Sequence, residues 1–161
     1  MSSLTHVDPQ GGVHMVDISE KADSVRTAVA IGRVHLGPEA FSRVAENAIQ
    51  KGDVLAISQF AGIMGAKETS RLIPLCHQVA LAGIDVELSP EESTHTIEVR
   101  AYAKSVGPTG VEMEALTAVT VSCLTIYDMC KSVTKEMVIE NIHLLAKTGG
   151  QSGDYRKPGT E

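Results

Sequence analysis

Three observations predict an α+β fold for this chain of 161 residues. Segments that alternate in polarity, and so read as strands, are separated by segments with apolar residues at helical spacing. Their order is strand, helix pair, two strands in succession, helix, strand. The longest helical segment is apolar nearly all round, so it must be buried on most sides. That order is the split βαβ, or ferredoxin-like, plan: an antiparallel sheet with helices on one face and an extra helix.

Each element has a local reason. Residues 1–13 are mostly polar, with Pro9, Gly11 and Gly12, and read as a flexible N-terminus. A single domain follows over 14–148, then a Gly-rich, mobile tail over 149–161. VRTAVAIGRVHL (25–36) alternates, which places Val25, Thr27, Val29, Ile31 and Val34 towards a core, with a slip or bulge near Gly32. Pro38 opens a helix, PEAFSRVAENAIQ, with Phe41, Val44, Ala45, Ala48 and Ile49 at helical spacing, and Lys51-Gly52 stops it. Asp53 caps a second helix, VLAISQFAGIMGAKETSRLI, whose Ala, Gly and Ser content suits close packing and which Pro74 ends. VALAGIDVELS (79–89) and THTIEVRAYAKSV (94–106) form a hairpin across the turn-like PEES. Gly107-Pro108-Thr109-Gly110 breaks the chain before the apolar helix of about 111–132, and MVIENIHLLA (137–146) is the last strand.

Composition narrows the function. The length suits one domain with a sizeable core. Aromatic residues are 3% of the chain and Trp is absent, against a stacking platform for single-stranded nucleic acid. A net charge of −6 argues against a broad phosphate-backbone footprint, though not against one compact anionic ligand. The N-terminus is no signal peptide and no uncharged apolar run is long enough to span a bilayer, so no membrane is expected. Cys76, Cys123 and Cys130 lack CxxC spacing and read as small buried hydrophobes in a reducing, cytoplasmic setting, with no metal.

The apolar helix carries charge only at its ends. Asp128 and Lys131, three residues apart, are neighbours on one helix face. A last-turn lysine suits the helix dipole, but an aspartate opposes it, so helix stability does not account for Asp128. Beside a buried surface such a couple can move protons. Glu112 and Glu114 suit the helix N-terminus on dipole grounds alone. Glu114 and Asp128 are fourteen residues apart, roughly 21 Å along the axis, so one chain cannot aim both at one atom. A single four-stranded sheet covers one face of this helix. The other face needs the chain's own second helix or, as expected here, another copy of the chain.

Other candidates are weaker. LIPLCHQ puts Cys76 and His77 in a connection after a broken helix. Lys51 stands at a helix entrance, where a phosphate would meet its ammonium and free N–H groups. KTGGQSG offers Lys147 and the amides of Gly149, Gly150 and Gly153 for an anion, without the order of a Walker loop. Arg26 and His14 are further cations near the first strand.

Taken together, HMVDIS, KGDVLAISQFAGIMGAKETSRLIPLCH, TGVEMEALTAVTVSCLTIYDMCK and LLAKTGGQSGDY, in that order over about residues 14–155, closely resemble the cyclic pyranopterin monophosphate synthase (MoaC) family of molybdenum cofactor biosynthesis. The resemblance implies a cytoplasmic, ferredoxin-like hexamer, a trimer of dimers, with active sites between subunits. It implies a lyase that converts 3′,8-cyclo-7,8-dihydroguanosine 5′-triphosphate to cyclic pyranopterin monophosphate and pyrophosphate by general acid/base catalysis. No redox cofactor is implied, and Mg²⁺ could accompany only the triphosphate. Asp128 and Lys131 match the family's catalytic positions, with Asp128 as base or orienting carboxylate and Lys131 as its partner, its pKa lowered by burial. Lys51 becomes a second proton carrier or phosphate contact. Leu75, Cys76, His77, Met113 and Glu114 match substrate-contacting positions, Glu112 matches another site position, and Lys147 with the glycine loop suits the leaving pyrophosphate. Gln78 stands where family members usually have proline, a departure that bears on the local backbone at the substrate contact. From the residues alone, a non-catalytic oligomeric nucleotide sensor is the competing reading.

Overall fold

The computed structural model describes residues 11–159, so the flexible segment expected over 1–13 lies largely outside the described residues. The strands are β1 (Ser24–His35), β2 (Leu81–Glu91), β3 (Thr96–Gly107), β4 (Val138–Thr148) and β5 (Tyr155–Arg156). The helices are α1 (Pro38–Ala45), α2 (Val54–Lys67), α3 (Thr69–Leu72) and α4 (Glu112–Cys130). The five strands form one sheet in the order β2-β3-β1-β4-β5, with every neighbouring pair antiparallel. Its first four strands have the expected ferredoxin-like order. Within the segment read as a mobile tail, β5 pairs Arg156 with Ala146 and Tyr155 with Lys147.

Two helices end earlier than their patterns suggest. The first stops at Ala45 because Asn47 turns left-handed, at φ 51°, and the Ala48 amide bonds back to the Arg43 carbonyl. That is a Schellman closure with Asn in the place usually taken by Gly. The second breaks at Glu68. The Thr69 hydroxyl donates to the Ala66 carbonyl at 2.9 Å, and a four-residue helix follows on a new course. Asp53 caps α2 as expected, its carboxylate accepting from the Ala56 amide at 3.0 Å.

The face of β1 that meets the core is not the expected one. Ala28, Ala30, Gly32 and Val34 point into the helix layer, whereas Val25, Thr27, Val29 and Ile31 line the opposite, helix-free face. Packing distance explains the inversion. A Cβ on Gly32 would stand 2.7 Å from Val119 and 2.9 Å from Ile142, so α4 lies too close for a larger residue. The slip expected near Gly32 is present, but the extra residues are in β4, where Asn141 adopts φ 56°.

Nor does α4 need a second copy to cover its outer side, because α2 does so. Gly62 and Gly65 of α2 face α4: a Cβ on Gly62 would collide with the Ser122 hydroxyl and stand 3.0 Å from the Ala118 carbonyl. One on Gly65 would stand 2.8 Å from Val121. The Ser122 hydroxyl donates to the Ser58 carbonyl at 2.9 Å across this contact. Among the described residues α4 is the one helix long and apolar enough to cross a membrane by length and composition, but it lies between sheet and helix as a core element. The exposed apolar side chains include Ile57, Phe60 and Met64 on α2, Leu124 on α4, and Val25, Tyr102 and Val106 on the helix-free sheet face.

Gly62→Ala is expected to destabilise the fold by about 1–3 kcal/mol through overpacking against α4. Urea unfolding of the two proteins side by side measures it, and an unchanged midpoint would count against the close crossing.

Candidate functional site

The charged groups at the two ends of α4 form two separate clusters. At the C-terminal end the Lys131 ammonium lies 2.6 Å from one Asp128 oxygen, and the Lys51 ammonium lies 2.7 Å from the other. Lys51 also donates to the Asp128 carbonyl at 2.7 Å, so one lysine from the turn before α2 closes the last turn of α4. That bond satisfies a carbonyl left without a partner at the helix end. The cluster is open to solvent in a single chain, with side-chain exposures of 56% for Asp128, 52% for Lys131 and 43% for Lys51.

This exposure sets the electrostatics. Hydrogen bonds from Lys131 and Lys51 hold the Asp128 carboxyl down at about 2. The same contact raises the Lys131 ammonium above its usual value, the reverse of the lowering by burial expected for it. A carboxylate with two ammonium partners is a poor base, and a lysine so paired is a weak acid at neutral pH. Within one chain the cluster orients groups. To move protons it must be desolvated by something placed over it.

At the N-terminal end of α4 lies a cavity of about 430 Å³. Leu75, Cys76 and His77 form one wall, Glu112, Met113 and Glu114 of the first helical turn another, and Val16, Ile18 and Lys21 of the N-terminal segment a third. His77 Nε2 bonds the Val16 carbonyl at 2.8 Å, which fastens that segment across the opening. Glu112 pairs with Lys147 of β4 at 3.0 Å. Glu114 is 4% exposed, and burial pushes its carboxyl up from the usual range. Burial, with Glu114 alongside, also raises the Cys76 thiol, so no reactive thiolate is provided there. Cys123 and Cys130 are wholly buried, with burial pushing their thiols up to about 12 and about 11.

A second cavity, of about 460 Å³, adjoins the first through Lys21, which lines both. Arg26, Ser24, Pro108, Gly150, Gln151 and Ser152 line the rest of it, with Ala22 and Asp23. Lys147 reaches its edge, donating to the Ser152 hydroxyl at 3.3 Å. Two expectations change here. Arg26 spends Nε on the Gly107 carbonyl at 3.3 Å and Nη2 on the Pro108 carbonyl at 3.2 Å, so it braces the turn before α4 as well as facing the cavity. Of the three glycine amides expected to hold an anion, that of Gly149 is bonded to Asp154 at 3.0 Å and that of Gly153 to the Gly150 carbonyl at 3.2 Å.

The structure therefore brings Leu75, Cys76, His77, Glu112, Met113, Glu114, Lys147 and Arg26 together at one end of α4. It leaves Lys51, Asp128 and Lys131 roughly 21 Å away at the other. His14 is exposed and is not among the residues that line either cavity. Lys21, Val16 and Ile18 were missed by the sequence reading. The HMVDIS block holds two of them, but no periodicity or motif marks Lys21.

The Asp128 carboxylate should remain ionised down to about pH 2. Its folded value lies below the ordinary 3.8, so the stability it contributes is present above that value and is lost as pH falls towards 2. A side-chain carboxyl NMR titration checks this. An Asp128 midpoint at the ordinary value would show that the lysines do not hold it.

Comparison with known proteins gives the family of the chain. The family model described as "MoaC family" matches residues 15–150. The chain is 63% identical to the cyclic pyranopterin monophosphate synthase of Salinibacter ruber, over 96% of this chain and 91% of that protein. It is 54% identical to the protein of that name from Heliobacterium modesticaldum, over 96% of this chain and 98% of that one. It is also 51% identical to "Molybdenum cofactor biosynthesis protein 1" of Homo sapiens, matching 24% of that longer protein. With the family model spanning most of the sequence and these identities running over nearly its full length, the chain belongs to the MoaC family.

Proposed function

We propose that this chain is a pyrophosphate-releasing lyase that makes cyclic pyranopterin monophosphate from 3′,8-cyclo-7,8-dihydroguanosine 5′-triphosphate. The observation that carries the reading is the pair of adjoining cavities that share Lys21. One is lined by carboxyl groups and apolar side chains suited to a purine-derived ring. The other is lined by Lys21 and Arg26 with Ser24, Gly150 and Ser152, suited to phosphates. Glu112, paired with Lys147, accepts from the ring's amidine-like N–H edge. A sugar hydroxyl attacks the α-phosphorus, and its proton passes to a base. The bond to the β-phosphate's bridging oxygen breaks, and pyrophosphate leaves with that electron pair. Lys147, Lys21 and Arg26 stabilise the charge that builds on it. No redox cofactor takes part, and a Mg²⁺ that travels with the triphosphate belongs to the substrate.

Proton transfers in the ring rearrangement are assigned to Asp128, Lys131 and Lys51. Because they lie at the far end of α4 from the cavity of the same chain, the complete site takes its two halves from two copies. This supports an assembly of dimers, up to the hexamer that the resemblance implies, acting in the cytoplasm. The exposed Ile57, Phe60, Met64 and Leu124 and the apolar part of the helix-free sheet face are surfaces that such an assembly would cover. Desolvation there would lower Lys131 from its raised value towards neutral pH, where it can act as an acid.

Wild-type protein given the authentic cyclic dihydro-GTP intermediate is expected to release pyrophosphate. Lys131→Ala and Asp128→Ala should lose at least about 100-fold in kcat while keeping the assembly. No release by the wild type ends the enzyme reading and leaves a binding protein. A mixture of Lys131→Ala and Glu112→Ala chains should regain about a quarter of wild-type activity, because a mixed dimer holds one intact site. If the mixture stays as inactive as its components, each site is built from one chain.

A further inference from the structure

The turn after β4 lies on Val25 and Arg26 of β1, and its two leading glycines allow this for different reasons. Both have left-handed backbones, at φ 87° for Gly149 and 85° for Gly150. A Cβ on Gly149 would collide with the Val25 carbonyl, which belongs to the sheet and cannot give way. Gly149 therefore serves the fold. A Cβ on Gly150 would collide instead with Arg26 Nη1 and stand 2.8 Å from Cζ. That obstacle is the end of a long side chain, which can swing aside, so packing of the fold does not demand a bare backbone there. What a bare Gly150 preserves is the place of the guanidinium. Arg26 Nε donates to the Gly107 carbonyl at 3.3 Å and Nη2 to the Pro108 carbonyl at 3.2 Å. Because the guanidinium is a rigid planar fork, fixing these two nitrogens also fixes where the third points. Among the described residues Nη1 makes no hydrogen bond, and it is the nitrogen against which Gly150 rests. Arg26 and Gly150 both line the second cavity, where Lys21 is the other cation and Asp23 the carboxylate.

We propose that Gly150 is a positioning residue for phosphate recognition: its bare Cα backs the Arg26 guanidinium, so that Nη1 is presented to a phosphate oxygen in the second cavity. A side chain at position 150 would push the guanidinium off its two carbonyls and turn Nη1 away. The positive charge would stay near the cavity, but the oriented donor would be lost, and a charge-assisted hydrogen bond depends on that orientation. The arrangement is preorganised, because the carbonyls of the turn before α4 and the glycine turn after β4 hold the fork before any ligand arrives. This rests on the triphosphate occupying the second cavity, as in the function proposed above.

Titration calorimetry with inorganic tripolyphosphate tests this without turnover, so it stands even if the proposed reaction fails. The variants to compare are Gly150→Asn and Gly153→Asn. Asn tolerates a left-handed backbone at both positions, and the Cβ it adds meets Arg26 only at 150. Gly153 lines neither cavity, and a Cβ there meets nothing within 4 Å. Gly150→Asn should bind tripolyphosphate about 10–100-fold more weakly than wild type, the worth of one hydrogen bond to a charged group. Gly153→Asn should stay within about 3-fold of wild type. In an Arg26→Ala background Gly150→Asn should cost nothing further, because the group it positions is gone, whereas a role in the turn alone would add its whole effect. Gly150→Ala, the smallest change that adds a Cβ, repeats the comparison if the Asn variant does not fold. Wild-type affinity in a folded position-150 variant, or a full additional loss in the Arg26→Ala background, overturns the positioning role and leaves the phosphate cavity standing. A wild type that binds no tripolyphosphate overturns both.

Discussion

The close burial of α4 between the sheet and α2 is the constraint on which the rest depends. It is possible only because small residues face the helix on both sides: Ala28, Ala30 and Gly32 on β1, Ala101 and Ala103 on β3, and Gly62 and Gly65 on α2. With α4 pressed this close, its middle turns have no room for charge, and its acidic residues are confined to the ends. The rigidity of the buried rod also keeps those ends a fixed distance apart. A helix loosely packed on the surface would impose neither condition.

The two ends then acquire different chemistry from what the fold places around them. At the first turn, the fold gives Glu112 a cation partner in Lys147 and buries Glu114, which has no ion pair among the described residues. At the last turn, Lys51 arrives from 77 residues away to share Asp128 with Lys131. That three-membered cluster is stable and open to solvent, so in one chain it is poised to orient rather than to transfer protons. Catalytic strength at such a site comes from covering it, and among the described residues exposed apolar side chains lie on α2, α4 and the helix-free sheet face.

Much of this was legible from residue types alone. Asp53 before an apolar run marks a helix start because its short carboxylate reaches a free amide, and it does so here. The hairpin of β2 and β3 and the strand β4 follow from alternation. Most of the candidate site is legible through the sequence blocks around Cys76-His77, Glu112–Glu114 and Asp128–Lys131. What alternation misjudged was β1. Its bulky β-branched residues were assigned to the core, but the core face needed small ones, because the thickness of the helix above sets the side-chain size below.

The sequence by itself determined the order of the main strands and helices, the Asp53 cap of α2 and the confinement of charge to the ends of α4. These depend on residues near one another along the chain, where spacing and chemistry suffice. Only the tertiary structure decided which face of β1 is buried, that α2 covers α4, that Lys21 joins two cavities, and that Arg26 braces the turn before α4. Each of these is a contact between segments far apart in sequence, and no local pattern encodes the distance between two surfaces that meet only when the chain has packed.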